Sequence, residues 1–175
     1  THTIVQNGDT LGNLWFYGDD GNDFSLGAQI TVEVDGPPGI GDMPGRLVIK
    51  TTPDGSATPI IAATFDSSQN LTVTGNVTAN SDESLKTNWR DFGDSFVYDL
   101  AKVKSGIFDR IDTKETMVGV SAQSFRTLMP NAIHENHDGI LSVAYGNAAL
   151  VSAIKLAEKV VSLEARIVEL EAKLK

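Results

Sequence analysis

A short polar stretch near the middle of the chain carries a serine and a lysine that could act together. Residues 80–86 read NSDESLK. A serine hydroxyl becomes a nucleophile when a base takes its proton, and a neutral lysine amine can do so. With Ser81 as nucleophile and Lys86 as base, the chain could cut itself. The same residues could instead cap a helix, because a serine followed by acidic residues favours a helix N-terminus.

The spacing of the pair constrains the structure between its members. In a helix, five residues would place Ser81 and Lys86 roughly 140° apart, and in a strand they would lie on opposite faces. The dyad therefore requires a turn within residues 81–86 or a lysine from a neighbouring copy of the chain. Asp82 and Glu83 could support catalysis by orienting the lysine, or they could simply be solvated.

Composition excludes several classes of protein and site. The 175 residues include no cysteine and carry a formal net charge of −9. Disulfides, zinc–thiolate sites and thiol catalysis are thereby excluded. Because Lys and Arg are not clustered, we expect no nucleic-acid partner. No apolar run is long enough to span a bilayer, and the N-terminus lacks the features of a signal peptide, so we expect no membrane insertion.

Residues 1–80 are predicted to be β-rich. Glycine, proline, asparagine and aspartate separate short β-prone runs at residues 29–34, 46–50 and 71–74. Short strands with few aromatic residues would bury little apolar area in a single copy. We therefore expect this half to intertwine with identical chains.

Residues 81–148 are predicted to form an α+β domain. Phe96, Leu100 and Val103 recur at helical spacing before Gly106, which predicts a helix followed by a strand. Another strand is expected at residues 117–122. A short helix over residues 122–129 should end before Pro130.

Residues 149–175 are predicted to form a long parallel coiled-coil helix. Apolar residues recur every seven positions in two columns: Ala153, Val160, Ile167 and Leu174, and Ala149, Leu156, Leu163 and Leu170. We define the seam as the six large residues of these columns: Leu156, Val160, Leu163, Ile167, Leu170 and Leu174. Lys159, Arg166 and Lys173 at one flank could meet Glu164 and Glu171 of a neighbouring helix. A single amphipathic helix packed on a globular core is the alternative.

The number of helices in the coil is not determined by the heptads. β-Branched residues in one column and leucine in the other favour two helices. Ile154, Val161 and Val168 add a neighbouring apolar column, and a wider stripe suits three or more helices. Dimer and trimer both remain open on this ground.

Other candidate sites are weaker. His134, Glu135 and His137 lie in an expected polar loop and lack a well-spaced third ligand for a metal. Residues 19–23 contain ingredients of a calcium loop without its full pattern, so we interpret them as a turn. The glycines of residues 36–45 open no helix and form no phosphate loop. We therefore predict no metal site and no cofactor.

Four motifs resemble the C-terminal intramolecular chaperone domain of bacteriophage tail spikes and tail fibres, the endosialidase-type self-cleaving peptidase family. They lie in residues 81–160: SDESLKTN, GIFDRID, VGVSAQSFRTLMPNAI and LSVAYGNAALVSAIKLAEKV. Upstream, FDSSQNLTVTGNV and GDMPGRLV resemble tail-fibre shaft and tip sequences. Ser84 stands where the family commonly has a basic residue, and Trp89 where it has an aliphatic one.

The resemblance implies a homotrimer whose chaperone domain guides assembly of the β-rich fibre and then cuts the chain between Asn80 and Ser81. Residues 1–80 would belong to the virion tail and bind a host cell-surface receptor of unknown identity. The chaperone domain would act in the host cytoplasm during assembly. Two alternatives remain: a non-cleaving fibre tip with a permanent trimerisation coil, and a glycan-hydrolysing tip, for which residues 1–80 offer no clear pair of carboxylates.

Overall fold

The computed structural model describes residues 2–174, which form two compact units that divide between Leu85 and Lys86. The first unit is β-rich, and the second combines short helices and hairpins with a long C-terminal helix. A β-rich half followed by an α+β half that ends in a helix is the predicted order. The domain boundaries proposed after residues 80 and 148 remain predictions.

The first unit is a single antiparallel sheet in which each strand pairs with the next along the chain. Its strands are β1 Thr10–Asp19, β2 Phe24–Val34, β3 Gly45–Thr51, β4 Ile60–Phe65 and β5 Leu71–Val73. The predicted β-prone runs lie in β2, β3 and β5. The expectation of uniformly short strands is wrong for β1 and β2, which have 10 and 11 residues. A tight turn at residues 20–23 and a register shift opposite Phe16 and Tyr17 allow this hairpin to extend.

The register of the sheet separates an apolar face from a polar face. Because side chains alternate along a strand, residues paired across neighbouring strands share a face. The central row on one face joins Leu14, Ile30, Ile49, Ala63 and Val73. The rows beside it add Val32, Leu47, Phe65 and Leu71 on one side, and Phe16, Ala28 and Ile60 on the other. We call this set the apolar face.

On the opposite face, polar side chains of neighbouring strands form hydrogen bonds and an ion pair with one another. The Asn13 Oδ1 atom accepts hydrogen bonds from Gln29 Nε2 at 2.7 Å and Thr31 Oγ1 at 2.9 Å. Arg46 forms an ion pair with Glu33 at 2.7 Å. Thr31 is buried beneath this network. The polar face is therefore satisfied within one chain.

The second unit consists of three helices and two small hairpins. Helix α1 spans Phe96–Leu100, hairpin strands β6 and β7 span Ser105–Asp109 and Thr116–Val120, and helix α2 spans Ala122–Arg126. A 3-10 turn follows at Pro130–Ala132, then strands β8 Ile133–Glu135 and β9 Leu141–Val143, and finally α3 Tyr145–Lys173. We call α3 the terminal helix.

Helix α1, helix α2 and the start of the terminal helix enclose a small core. Its buried residues are Phe96, Phe125, Met129, Ala132 and Ala148. The prediction of a helix followed by a strand is confirmed, because α1 is followed by β6. The helix ends at Leu100, however, and Val103 packs against the core from the turn that follows it. The predicted strand at residues 117–122 is β7, and the predicted helix at 122–129 is the shorter α2.

Two positions in the VGVSAQ motif have clear local roles. Ser121 is the N-cap of α2, and its side chain accepts a hydrogen bond from Ser124 N at 3.2 Å. A Cβ atom at Gly119 would lie 3.1 Å from the Tyr145 hydroxyl and 3.4 Å from the Phe108 ring. Glycine therefore lets Phe108 and Tyr145 approach the β7 backbone.

The terminal helix is docked at its start and projects at its end. Its 29 residues span about 43 Å. Ala148 is buried, and Val151 packs against the core. From Val160 to Leu174 every residue is exposed. In residues 2–174 no helix has the length and apolar character needed to cross a membrane.

Candidate functional site

The proposed nucleophile lies in an exposed segment at the end of the first unit. Asn80, Ser81, Asp82 and Glu83 are all exposed. A single 3-10 turn spans Glu83–Leu85. The chain between Ser81 and Lys86 therefore contains a turn, which is one of the two alternative arrangements that the spacing of the dyad allows. Since no α-helix begins before Phe96 in the described part of the chain, the alternative of a longer helix starting here is not borne out.

Asp82 stabilises this turn. Its Oδ1 atom accepts a hydrogen bond from Ser84 N at 2.8 Å, and Leu85 N donates to the Asp82 carbonyl oxygen at 3.3 Å. Hydrogen bonds from the Ser84 hydroxyl and backbone N–H lower the pKa of Asp82 below its usual value. The Asp82 carboxylate is thus engaged with Ser84.

The proposed base is the first residue of the second unit and contacts an aromatic ring. Lys86 Nζ lies 5.5 Å from the centroid of the Trp89 ring, which is a cation–π distance. Between them, Asn88 has φ of 54°, in the left-handed region that asparagine tolerates better than most residues. This local reversal of the backbone brings the Lys86 ammonium over Trp89.

The segment after Trp89 is attached to the terminal helix. Asp91 Oδ1 accepts a hydrogen bond from Lys155 Nζ at 2.5 Å and another from Phe92 N at 2.8 Å. Lys155 also forms an ion pair with Glu158 at 2.9 Å. The Lys155 hydrogen bond lowers the pKa of Asp91, and the Asp91 partner raises the pKa of Lys155. The Phe92 ring lies 4.5 Å from the Phe96 ring in the core.

Ser81 belongs to the first compact unit and Lys86 to the second. The dyad, the cleaved bond and any supporting role of Asp82 and Glu83 remain predictions. Sequence reasoning did not anticipate the contacts of Trp89, Asp91 and Lys155. An aromatic residue three positions after a lysine could have suggested the first of these contacts. The Asp91–Lys155 pair joins residues 64 positions apart, and no local pattern reveals it.

The seam of the terminal helix is exposed in a single chain. Its six residues have exposed fractions between 44% for Leu156 and 88% for Leu174. Ile154, Val161 and Val168 are likewise 49–65% exposed. Apolar side chains at heptad spacing thus face outward over the projecting half of the helix. The coiled coil and its number of helices remain predictions.

Two of the flanking cations already have contacts within the chain. Lys159 Nζ lies 5.1 Å from the Tyr98 ring centroid, and Lys173 forms an ion pair with Glu169 at 2.5 Å. These contacts differ from the interhelical pairs with Glu164 and Glu171 that the heptads predict. Lys159 instead helps to attach the terminal helix to α1.

The weaker candidate sites form turns and hairpins. Asp20 accepts hydrogen bonds from the backbone N–H groups of Asn22 and Asp23 and from the Ser25 hydroxyl, as expected of a turn. His134 and Glu135 lie in strand β8, so placing them in a loop is wrong, because they pair with β9. Within residues 2–174, no three histidine, aspartate or glutamate side chains form a cluster that could hold a metal ion.

Comparison with known proteins finds similarity among solved structures. No protein-family model matches the chain, and no curated protein does. One solved structure is the carboxy-terminal domain of the bacteriophage T5 L-shaped tail fibre with its intramolecular chaperone domain. Its sequence is 17% identical and the TM-score is 0.38. The match covers 93% of this chain and 55% of that chain. Another holds the carboxy-terminal domain of the same fibre; it is 20% identical with a TM-score of 0.36, and the match covers 51% and 33% of the two chains.

These structural neighbours are phage tail-fibre domains. The motifs of residues 81–160 resemble proteins of the same class, and membership of this chain in that class is a proposal. The chain matches about half the length of the structure that includes the chaperone domain.

Proposed function

We propose that the chain is the distal part of a phage tail fibre or tail spike, with an intramolecular chaperone at its C-terminal end. Three copies would assemble through the terminal helix, and each chain would then be cut between Asn80 and Ser81. The exposed seam carries this proposal. In one chain, six large apolar residues at heptad spacing contact no core, and three parallel helices would bury them. The apolar column of Ile154, Val161 and Val168, which lies beside the seam, favours three helices over two.

The apolar face of the first unit supports the same conclusion. Leu14, Phe16 and Phe65 are 55%, 47% and 43% exposed, although the register places them among apolar neighbours. A sheet that is hydrophobic on one face must bury that face against another layer. In an intertwined trimer, the equivalent sheets of the other copies supply that layer. Residues 1–80 then form the fibre tip of the virion and contact the host receptor.

The proposed cut is a single-turnover serine endopeptidase reaction. Lys86 takes the proton of the Ser81 hydroxyl as its oxygen attacks the Asn80 carbonyl carbon. The bond from that carbon to the Ser81 nitrogen breaks, the nitrogen takes a proton to become a free amine, and an ester joins Asn80 to the Ser81 oxygen. Water then hydrolyses the ester and releases the upstream fragment. The reaction needs no cofactor, and it would occur in the host cytoplasm during assembly.

The alternative is a fibre tip that keeps its C-terminal coil permanently. The exposed seam and the apolar face are equally compatible with that function, because both concern assembly rather than cleavage. Exposure of residues 80–83 favours the cleaving version, since the scissile bond is accessible to a base from a neighbouring copy as well as from its own chain.

Denaturing electrophoresis with mass spectrometry of freshly purified protein tests the cut. We expect two fragments, the second beginning at Ser81. Ser81→Ala should stop cleavage and leave assembly intact. Lys86→Ala should slow it by several orders of magnitude, because the serine loses its base.

Ser68→Ala is the serine control, since Ser68 is exposed and lies in the turn between β4 and β5, away from the proposed site, and Lys102→Ala is the lysine control. Both should be cut at the wild-type rate. A wild-type chain that stays full-length for days at neutral pH would leave the permanent-coil alternative as the function.

A further inference from the structure

The contacts of residues 86–92 connect the proposed base to the terminal helix. Lys86 lies over Trp89, and Asp91, two residues further on, binds Lys155 of the helix. Phe92 then enters the core against Phe96. The short segment that follows Lys86 is therefore held to the rest of the unit at Asp91 and Phe92, and Trp89 within it lies beside the Lys86 ammonium.

The helix partner of this segment is well placed to respond to assembly. The side chain of Lys155 is 18% exposed, whereas that of Asp91 is 77% exposed, so the lysine is the better-packed member of the pair. Lys155 immediately precedes Leu156, the first residue of the seam, and lies five residues before Val160. Any displacement of the helix near Leu156 on closing of the seam would therefore be transmitted to Lys155 and, through it, to Asp91.

We propose that Asp91 and Lys155, together with Trp89, are positioning residues for Lys86, and that their ion pair couples assembly of the terminal helix to the cut. This inference rests on the proposed function. The pair holds the Asp91 end of the segment, the Trp89 ring holds the Lys86 ammonium, and the left-handed Asn88 between them fixes the direction of the chain. Because catalytic groups misplaced by about 1 Å can slow a reaction about 100-fold, a small displacement of this segment suffices to delay cleavage until assembly.

The kinetic test compares variants that break the pair with variants that preserve it. Asp91→Asn and Lys155→Met should each slow cleavage about 10- to 100-fold while sedimentation still shows the assembled protein. The double variant should be no slower than the slower single variant, because both substitutions remove one interaction. Lys155→Arg keeps a cation at the position and should be cut within about threefold of the wild-type rate.

Glu158→Gln is the matched control, because it removes the other partner of Lys155 and leaves the Asp91 contact. It should be cut at the wild-type rate. Trp89→Phe should also be cut at close to the wild-type rate, because it keeps an aromatic ring for the Lys86 ammonium. Trp89→Leu removes that ring and should be cut more slowly. Wild-type rates in Asp91→Asn and Lys155→Met, or fully additive losses in the double variant, would overturn the coupling.

A fluorescence measurement tests the coupling without requiring the cut. In a Ser81→Ala, Trp15→Phe chain, Trp89 is the remaining tryptophan. Adding Lys86→Met should shift its emission, and Asp91→Asn or Lys155→Met should produce a shift of the same sign, whereas Glu158→Gln should not. An emission unchanged by Asp91→Asn and Lys155→Met overturns the positioning role. If the wild-type chain is never cut but these shifts occur, the cleavage function fails while the link between helix and Lys86 stands.

Discussion

The first unit presents an entire apolar sheet face to its surroundings, whereas the second unit encloses a core and exposes a narrow helical stripe. Phe96 and Phe125 are 4% and 5% exposed in the second unit. On the apolar face of the first unit, Leu14 and Phe16 remain about half exposed. The first unit also buries Val34 and Val48, so a single copy of either unit has buried apolar contacts, but the first unit leaves the wider apolar surface to be covered by neighbours.

This difference assigns an order to the proposed assembly. A chain whose C-terminal unit is already folded can present its seam to two others, and closing the seam brings three sheets together. The apolar faces then bury one another at a high effective concentration. The order explains why a chaperone would be attached to the same chain as the fibre that it assembles.

The largest effect is expected from charges placed in the seam. Leu163→Asp with Ile167→Asp would bury carboxylates in an apolar interface, with a loss on the order of several kcal/mol per chain. Electrophoresis should show no cut, and the first unit should be misfolded or insoluble. Sedimentation of the soluble fraction should show single chains. Ser162→Asp with Ala165→Asp adds the same charges at outward positions of the heptad and should assemble normally. Efficient cleavage in a demonstrated monomer would separate the cut from assembly.

A smaller effect should distinguish the two faces of the sheet. Phe16 and Trp15 are adjacent, lie on opposite faces and are exposed to similar extents, 47% and 53%. If assembly covers the apolar face, Phe16→Ser should destabilise the assembled protein by about 2 kcal/mol per chain, and Trp15→Ser by much less. Thermal unfolding of both variants measures the difference. Equal losses, or a larger loss for Trp15→Ser, would contradict burial of the apolar face.

The smallest effect concerns the acid sensitivity of the first unit. The Ser67 backbone N–H, at 2.8 Å from Asp35 Oδ2, lowers the pKa of Asp35, with further contributions from the Ser67 hydroxyl and then from Arg46. A lowered folded-state pKa means that Asp35 contributes stability above its unfolded value of about 3.9 and loses it as the pH falls through the folded value. The unfolding temperature of Asp35→Asn should therefore fall less between pH 6 and pH 3 than that of the wild type.

Ser67→Ala serves as the control for that comparison, because it keeps the backbone N–H that the Asp35 carboxylate binds. It should retain most of the wild-type difference between pH 6 and pH 3. An Asp35→Asn variant with the full wild-type difference would show that other carboxylates dominate the acid sensitivity.

Local patterns predicted the elements whose signals are short in range. The 3.5-residue repeat predicted the terminal helix, although the helix begins at Tyr145, four residues before the predicted start. β-Prone runs between turn signals predicted β2, β3 and β5. Strands β1 and β4 were not identified individually.

The sequence by itself determined the order of a β-rich half, an α+β half and a terminal helix, together with the heptad stripe and the serine–lysine spacing, because these depend on periodicity and on residue types along the chain. The contacts of Asp82 with Ser84 and of Lys86 with Trp89 are local, but they depend on a turn and on a left-handed Asn88 that residue types alone do not specify. Only the tertiary structure decided that Lys155 reaches Asp91 and which sheet residues share a face. These features depend on strand register and on pairs far apart in sequence, which are fixed only when distant segments pack together.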